Sequence, residues 1–181
     1  MNICVVGVGY VGLVVGTCLA DFGHNVVCVD NNKHKIDDLK KGISPIYELG
    51  LEELIHRNTK ENRLSFTTGL KGAIQSSLAV YITVDTPNKE DGTPNLTNIK
   101  AVALKVAEYI DGYKVVILKS TVPVGTCASV RSIISEKLDE INSPENLAKD
   151  YNSNGYLPSF SVVSNPEFLR EGSAIEDFMR P

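Results

Sequence analysis

Asn2-Ile3-Cys4-Val5-Val6-Gly7-Val8-Gly9-Tyr10-Val11-Gly12 is the stretch that decides how this chain folds. Residues 2–6 are short, apolar and β-branched, and read as a strand buried on both faces. The strand runs straight into Gly7 to Gly12, which fits G-x-G-x-x-G. Val11 to Phe22 then reads as a helix ended by Gly23, and Val26 to Asp30 as a second buried strand. A strand, a short crossover and a second strand imply parallel pairing. In such a turn Gly7 permits the sharp bend, Gly9 lets a pyrophosphate approach the backbone, and Gly12 lets the helix lie against the strand. The helix start adds N–H groups and a positive dipole end, which suit phosphate.

The same stretch has a competing reading. Residues 1–20 carry no charge, as in a signal peptide or membrane helix. A signal peptide needs a basic start, yet no Lys or Arg precedes Lys33. Gly7, Gly9, Gly12 and Gly16 are also too many glycines for a membrane span.

Outward from this unit the alternation continues. Lys33–Lys41 and Leu51–Asn58 read as helices, Leu64–Thr67 and Ala79–Val84 as strands, and Pro87–Pro94 as a turn-rich loop. Asn98–Ile110 is an amphipathic helix with Ile99, Val102, Ala103, Val106 and Ile110 on one face and Thr97 as its N-cap. Val115–Leu118 is a central strand. Val130, Ile133, Ile134, Leu138 and Ile141 mark a further helix. Asn142–Ser159 is a polar connection, long for a compact domain and suited to a surface insertion. Phe160–Val163 is a last strand. The segment beyond Glu171 shows no closing element. Six strands alternating with helices predict a doubly wound, mostly parallel α/β sheet with helices on both faces, in one domain over residues 1–181.

Composition narrows the function. The 181 residues are 43% hydrophobic and 22% charged, the balance of a globular protein. Eighteen Lys and Arg against 22 Asp and Glu leave a net charge of −4, which argues against a nucleic-acid partner. Cys4, Cys18, Cys28 and Cys127 form no C-x-x-C pair, and His24, His34 and His56 have no metal spacing, so no metal site is expected. Cys4, Cys18 and Cys28 read as small core residues and Cys127 as partly exposed. Reduced thiols place the chain in the cytoplasm.

Asp30 ends the second strand, where its carboxylate can accept both hydroxyls of an adenosine ribose and repel a 2′-phosphate. That combination points to NAD rather than NADP. Two other readings stay open: Asp30 as N-cap of the next helix, and an S-adenosylmethionine site. Asp85-Thr86-Pro87 and Lys119-Ser120-Thr121-Val122-Pro123-Val124-Gly125 lie at strand ends, where open α/β sheets place ligands, though their hydroxyls also suit helix caps. In Ser164-Asn165-Pro166-Glu167-Phe168-Leu169-Arg170-Glu171-Gly172, Asn165 and Pro166 suit the start of a helical turn. Glu167 and Glu171 would then share one face. Such a pair serves either as general base at a cleft or as a solvated acidic helix start.

Taken together, G-V-G-Y-V-G-L, D-T-P, K-S-T-V-P-V-G-T and S-N-P-E-F-L-R-E-G-S-A-I make the chain resemble the N-terminal domain of the UDP-glucose/GDP-mannose dehydrogenase family over essentially its whole length. The resemblance implies a Rossmann-type fold and a part of a longer, homo-oligomeric enzyme that oxidises a nucleotide sugar twice at C6, reducing two NAD. A cysteine beyond this chain would trap the aldehyde for oxidation to a thioester and then hydrolysis. Gly7, Val8, Gly9, Tyr10, Val11 and Gly12 would hold the pyrophosphate, and Asp30 and Lys35 the adenosine ribose. Val84, Thr86, Pro87, Ser120, Thr121 and Val122 would line the nicotinamide side. Glu167, Phe168, Leu169, Arg170 and Glu171 would edge the sugar-nucleotide site, with Glu171 also touching the cofactor. Glu167 would assist the hydrolytic water, with Thr121 helping to hold it. Glu171-Gly172-Ser173-Ala174-Ile175 leans towards UDP-glucose. GDP-mannose or another nucleotide sugar is the same-class alternative, and a non-catalytic NAD-binding module the alternative of another class. Asp85, where Asn or Gly is common, and Leu49, where Pro is common, depart from the family pattern.

Overall fold

The computed structural model describes residues 1–143 and 158–180. Most of the polar Asn142–Ser159 stretch therefore lies outside the described residues. Strand β1 (Asn2–Val6) sits at the centre because four of its five side chains are buried, two towards each face. Helix α1 (Tyr10–Asp21) follows it, then β2 (Asn25–Val29), α2 (Lys33–Lys40), α3 (Leu51–Lys60), β3 (Leu64–Thr67), α4 (Leu70–Gln75) and β4 (Ala79–Ile82). The remaining elements are α5 (Thr97–Tyr109), β5 (Lys114–Leu118), α6 (Thr126–Ile141), β6 (Phe160–Ser164) and α7 (Ala174–Met179). The strand order is β3-β2-β1-β4-β5-β6 and every described pairing is parallel. The order reverses between β1 and β4, which opens a crevice at the carboxyl ends of those strands.

The two faces carry separate cores. Ile3, Val5 and Cys28 pack with Leu13 and Val14 of α1, Ile36 and Leu39 of α2, Leu51 and Ile55 of α3, and Ala174 of α7. Cys4, Val6, Val80, Ile82, Val116 and Leu118 pack on the other side with Ile74 of α4, Ile99, Ala103 and Val106 of α5, and Val130, Ile134 and Leu138 of α6. Each fully buried Ile or Leu stabilises the fold by about 1.5–3 kcal/mol. Helix α1 is buried continuously from Gly12 to Ala20, as befits a helix apolar on all sides. Its far end is fixed by Arg63, whose Nε donates to Ala20 O at 3.0 Å.

The sheet and its helices match the sequence reading, and every described strand is parallel. Four local points differ. Helix α4 is absent from that reading because its six residues are too few to show a period. Thr97 is the first residue of α5 rather than its cap; Asn95 Oδ1 accepts the Thr97 N–H at 3.0 Å and starts the turn. Asn165 and Pro166 do not open a helix. Asn165 N donates to Leu118 O at 2.9 Å, so the chain prolongs the sheet, and helix begins only at Ala174 as α7. Glu167 and Glu171 therefore do not share a helical face. Helix α7 also supplies a closing element the sequence reading lacked: Ile175, Phe178 and Met179 pack on the first core, and the Phe178 ring stacks on Phe22 at 6.1 Å.

Candidate functional site

The first glycine of the turn is forced by both its dihedral and its neighbours. Gly7 has φ of +100°, and a Cβ there would come within 3.0 Å of Thr83 and Val84 backbone. Its N–H donates to Val29 O at 2.8 Å, so the turn begins as a continuation of the sheet. Gly12 is required by close approach: a Cβ would lie 1.9 Å from Gly7 O and 2.6 Å from Thr83 Oγ1. Gly9 is different. Its backbone is extended, at φ −79° and ψ −165°, and a Cβ would meet only Asp85 Oδ1 at an ordinary 3.5 Å. Nothing among the described residues demands glycine there, whereas a pyrophosphate lying against the backbone would. Gly9 O accepts the first α1 bond, from Leu13 N at 3.0 Å. The N–H groups of Tyr10, Val11 and Gly12 precede it and have no acceptor one helical turn back. This cradle fits a pyrophosphate.

Asp30 stands just past the end of β2, beside the turn. Its Oδ2 accepts Val8 N–H at 2.9 Å and lies 3.2 Å from Lys35 Nζ, while Oδ1 accepts Asn32 N–H at 2.9 Å. Burial alone would raise its pKa, but the Asn32 and Val8 N–H groups and the Lys35 ammonium outweigh it and hold the carboxyl below its ordinary value. The cap of α2 is Asn32, whose side chain accepts Lys35 N–H at 3.1 Å, not Asp30. One expectation is narrowed here. Val8 belongs to the turn, but its N–H is committed to Asp30 and its side chain is fully buried, so it shapes the cradle from within.

Thr83, which the sequence reading passed over, locks the turn from β4. Its buried hydroxyl lies 2.9 Å from Val6 O and 2.7 Å from Gly7 O, sharing one proton between them. Val84 and Thr86 are half-buried and Pro87 exposed, at the same edge of the sheet. Ser120 Oγ donates to Val84 O at 3.0 Å, which ties the β5 end to the β4 end; Thr121 is exposed and Val122 half-buried.

The Glu167–Glu171 segment leaves the sheet at that edge too. Glu167 is half-buried, and its Oε2 accepts the N–H of Leu169 at 2.6 Å. Lys119 opens the second strand-end segment but has no role in the sequence reading. It is buried, with Nζ 3.3 Å from Asn165 Oδ1 and 5.8 Å from the Phe178 ring. Burial lowers its pKa, and the nearby Glu167 carboxylate opposes that shift. The one signal for Lys119 was a lysine directly after an apolar strand. Arg170 is held by Asp177 through a bidentate pair, at 3.1 and 2.7 Å. Leu169 packs on the core, while Phe168 and Glu171 face outward.

What joins this segment to the glycine turn is a contact 162 residues apart in sequence: Gly172 N–H lies 3.2 Å from the Tyr10 hydroxyl. The residue that follows Glu171 thus touches the first residue of α1. The pattern of the UDP-glucose/GDP-mannose dehydrogenase family, NAD binding domain, matches residues 1–181. The chain belongs to that family. It is 49% identical over 182 residues to UDP-glucose 6-dehydrogenase of Rhizobium meliloti (strain 1021), covering 100% of this chain and 38% of the relative. It is 48% identical over 178 residues to UDP-glucose 6-dehydrogenase TuaD of Bacillus subtilis (strain 168), covering 98% and 35%. A UDP-glucose dehydrogenase structure from Pyrobaculum islandicum superposes with a TM-score of 0.85 at 38% identity, over 99% of this chain and 38% of that one. A ternary complex of GDP-mannose dehydrogenase from Pseudomonas aeruginosa gives 0.82 at 36%, over 98% and 38%. The chain thus spans little more than a third of the length of these relatives.

Three of the four thiols are buried. Burial pushes Cys4 and Cys18 up to about 12 and Cys28 higher still. Cys4 and Cys28 occupy opposite faces of the sheet. Cys127 is half-buried at the start of α6. Among the described residues, no group of three or more His, Cys, Asp and Glu is arranged to hold a metal. None of the described helices is long and apolar enough to cross a membrane.

Proposed function

We propose that this chain supplies the NAD site and one wall of the sugar-nucleotide site of a UDP-glucose 6-dehydrogenase. The observation that carries the reading is the Gly172–Tyr10 contact, which ties the residue after Glu171 to the glycine turn. In this reading residues 1–181 form one NAD-binding domain, and the nucleophilic cysteine, a further domain and the oligomer contacts belong to the rest of a homo-oligomeric, cytoplasmic protein. The relatives named for UDP-glucose, at 48% and 49% identity, favour that substrate over GDP-mannose.

In this reading the roles are those that the family resemblance implies. The N–H groups at the start of α1 and the bare backbone at Gly9 take the pyrophosphate. Asp30 accepts the ribose hydroxyls and repels a 2′-phosphate, while Lys35 fixes the carboxylate's direction. Bound NAD supplies the hydride acceptor. Val84, Thr86, Pro87, Ser120, Thr121 and Val122 orient the reacting end. Phe168 to Glu171 edge the sugar nucleotide, and Glu171 reaches the cofactor as well. Glu167 serves as base towards the hydrolytic water, which Thr121 helps to hold. The deciding experiment is turnover of the intact protein with UDP-glucose, GDP-mannose and UDP-N-acetylmannosamine, under NAD and then NADP. UDP-glucose with NAD is the expected pair. Preference for another sugar corrects the substrate, and NAD binding without turnover of any sugar establishes a non-catalytic module.

A further inference from the structure

Glu48 belongs to none of the motifs that identify the site. It lies in the loop between α2 and α3 and is only 5% exposed. A buried carboxylate is costly unless its oxygens are satisfied, and Glu48 finds its donors at two separate ends of the site. Tyr10, the first residue of α1, donates its phenol to Oε2. Gly172 N–H donates to the same oxygen at 2.8 Å, and Ala174 N–H donates to Oε1 at 3.0 Å. Burial, and then donation to Glu48, raise the Tyr10 phenol to about 12, so it stays protonated and able to donate.

The other polar ties of the segment are local or lie at its start. Glu167 holds Leu169 N–H, Arg170 holds Asp177, and Asn165 is anchored on β5 and Lys119. At the far end, beyond Glu171, the polar tie to the glycine turn runs through Glu48 and Tyr10. The chain around Gly172, at φ +86°, turns into α7 where Glu48 takes the two N–H groups. One carboxylate thus ends the irregular segment, starts the helix and bonds the residue that opens the dinucleotide helix.

We propose that Glu48 is a positioning residue that clamps the Glu167–Glu171 segment to the glycine turn and couples the two ligand sites. The inference rests on the function proposed above. A cofactor that orders the turn then also orders the segment that edges the sugar nucleotide, and by linkage the effect is reciprocal. An amide in place of the carboxylate offers one acceptor oxygen where the clamp uses two, so Glu48→Gln must release either Ala174 or the Tyr10–Gly172 side. Tyr10→Phe leaves the Glu48 bonds to Gly172 and Ala174 in place and cuts only the link to α1.

The test is calorimetric titration of the intact protein with UDP-glucose, with and without saturating NADH, a pair that does not turn over. NADH is expected to tighten UDP-glucose binding by about fivefold or more, the low end of ordinary coupling between sites. Glu48→Gln and Tyr10→Phe should each abolish most of that gain, and Glu48→Gln should leave the affinity for NADH alone nearly unchanged. Should Glu48→Gln fail to fold, Tyr10→Phe carries the test alone. Wild-type protein that binds both ligands without coupling overturns the clamp, as do variants that keep the coupling. Wild-type protein that does not bind NADH overturns the proposed function itself, and the clamp with it.

Discussion

Replacing two glycines of the same turn separates what the fold needs from what the cofactor needs. In Gly12→Ala the new Cβ would lie 1.9 Å from Gly7 O, more than 1 Å inside the 3.0 Å that real Cβ contacts essentially never breach, and 2.6 Å from Thr83 Oγ1. The obstructing atoms are backbone and a hydroxyl pinned between two carbonyls, so α1 itself must move off β1. Overpacking of this kind costs about 1–3 kcal/mol or somewhat more, and the absence of a flexible neighbour places this site at the upper end. For a chain of this length about 3 kcal/mol corresponds to a fall in Tm of roughly 6–12 °C. In Gly9→Ala the Cβ meets one side-chain oxygen at 3.5 Å and the backbone stays in an extended region open to alanine. The expected cost is below about 1 kcal/mol, the penalty of a poorer N-cap. Both variants should nevertheless lose NAD, Gly12→Ala through a distorted cradle and Gly9→Ala through a methyl group where the pyrophosphate must lie. Thermal unfolding without ligand, followed by calorimetric titration with NAD, reads the two effects separately. Wild-type affinity for NAD in Gly9→Ala would refute the phosphate assignment, and an undiminished Tm in Gly12→Ala would refute the packing argument.

Four further outcomes are expected. Asp30→Asn should weaken NAD binding about 10- to 100-fold, the worth of a charged hydrogen bond, and narrow the preference over NADP, as steady-state kinetics with both cofactors would show. Because the Asp30 carboxyl sits lower in the folded chain than its ordinary 3.8, its contribution to stability is present above that value and fades as pH falls through the folded-state value. Asp30→Asn should therefore show a shallower acid loss of stability in denaturant titrations at successive pH values, and an unchanged slope would contradict the assignment. Glu167→Gln in the intact protein should slow turnover by about 100-fold or more and let an enzyme-bound thioester accumulate, detectable by mass spectrometry after rapid quenching. Finally, brief alkylation of the native chain should label Cys127 and spare Cys4, Cys18 and Cys28 until denaturant is added; early labelling of Cys28 would mean that the first core opens.

The alternation of apolar runs with amphipathic segments determined the layered fold before any contact was known. Gly7, Gly12 and Asp30 were legible because their demands arise within one strand–helix–strand unit: a φ of +100°, a close helix–strand approach and a carboxylate at a strand end. The residues that complete the site were not legible in the same way. Thr83 reaches Gly7 only because β4 lies beside β1. Glu48 reaches Gly172 and Ala174 across more than 120 residues of sequence. A local reading cannot see such partners, and without them Asn165-Pro166 reads as the start of a helix. In the fold, the Leu118 carbonyl draws Asn165 into the sheet and the Glu48 carboxylate delays the helix to Ala174. Local propensity therefore decided where strands and helices can form, and tertiary hydrogen bonds decided how the Glu167–Glu171 segment is carried to the cofactor turn. A buried carboxylate must collect its donors from wherever the fold presents them, whatever their distance in sequence.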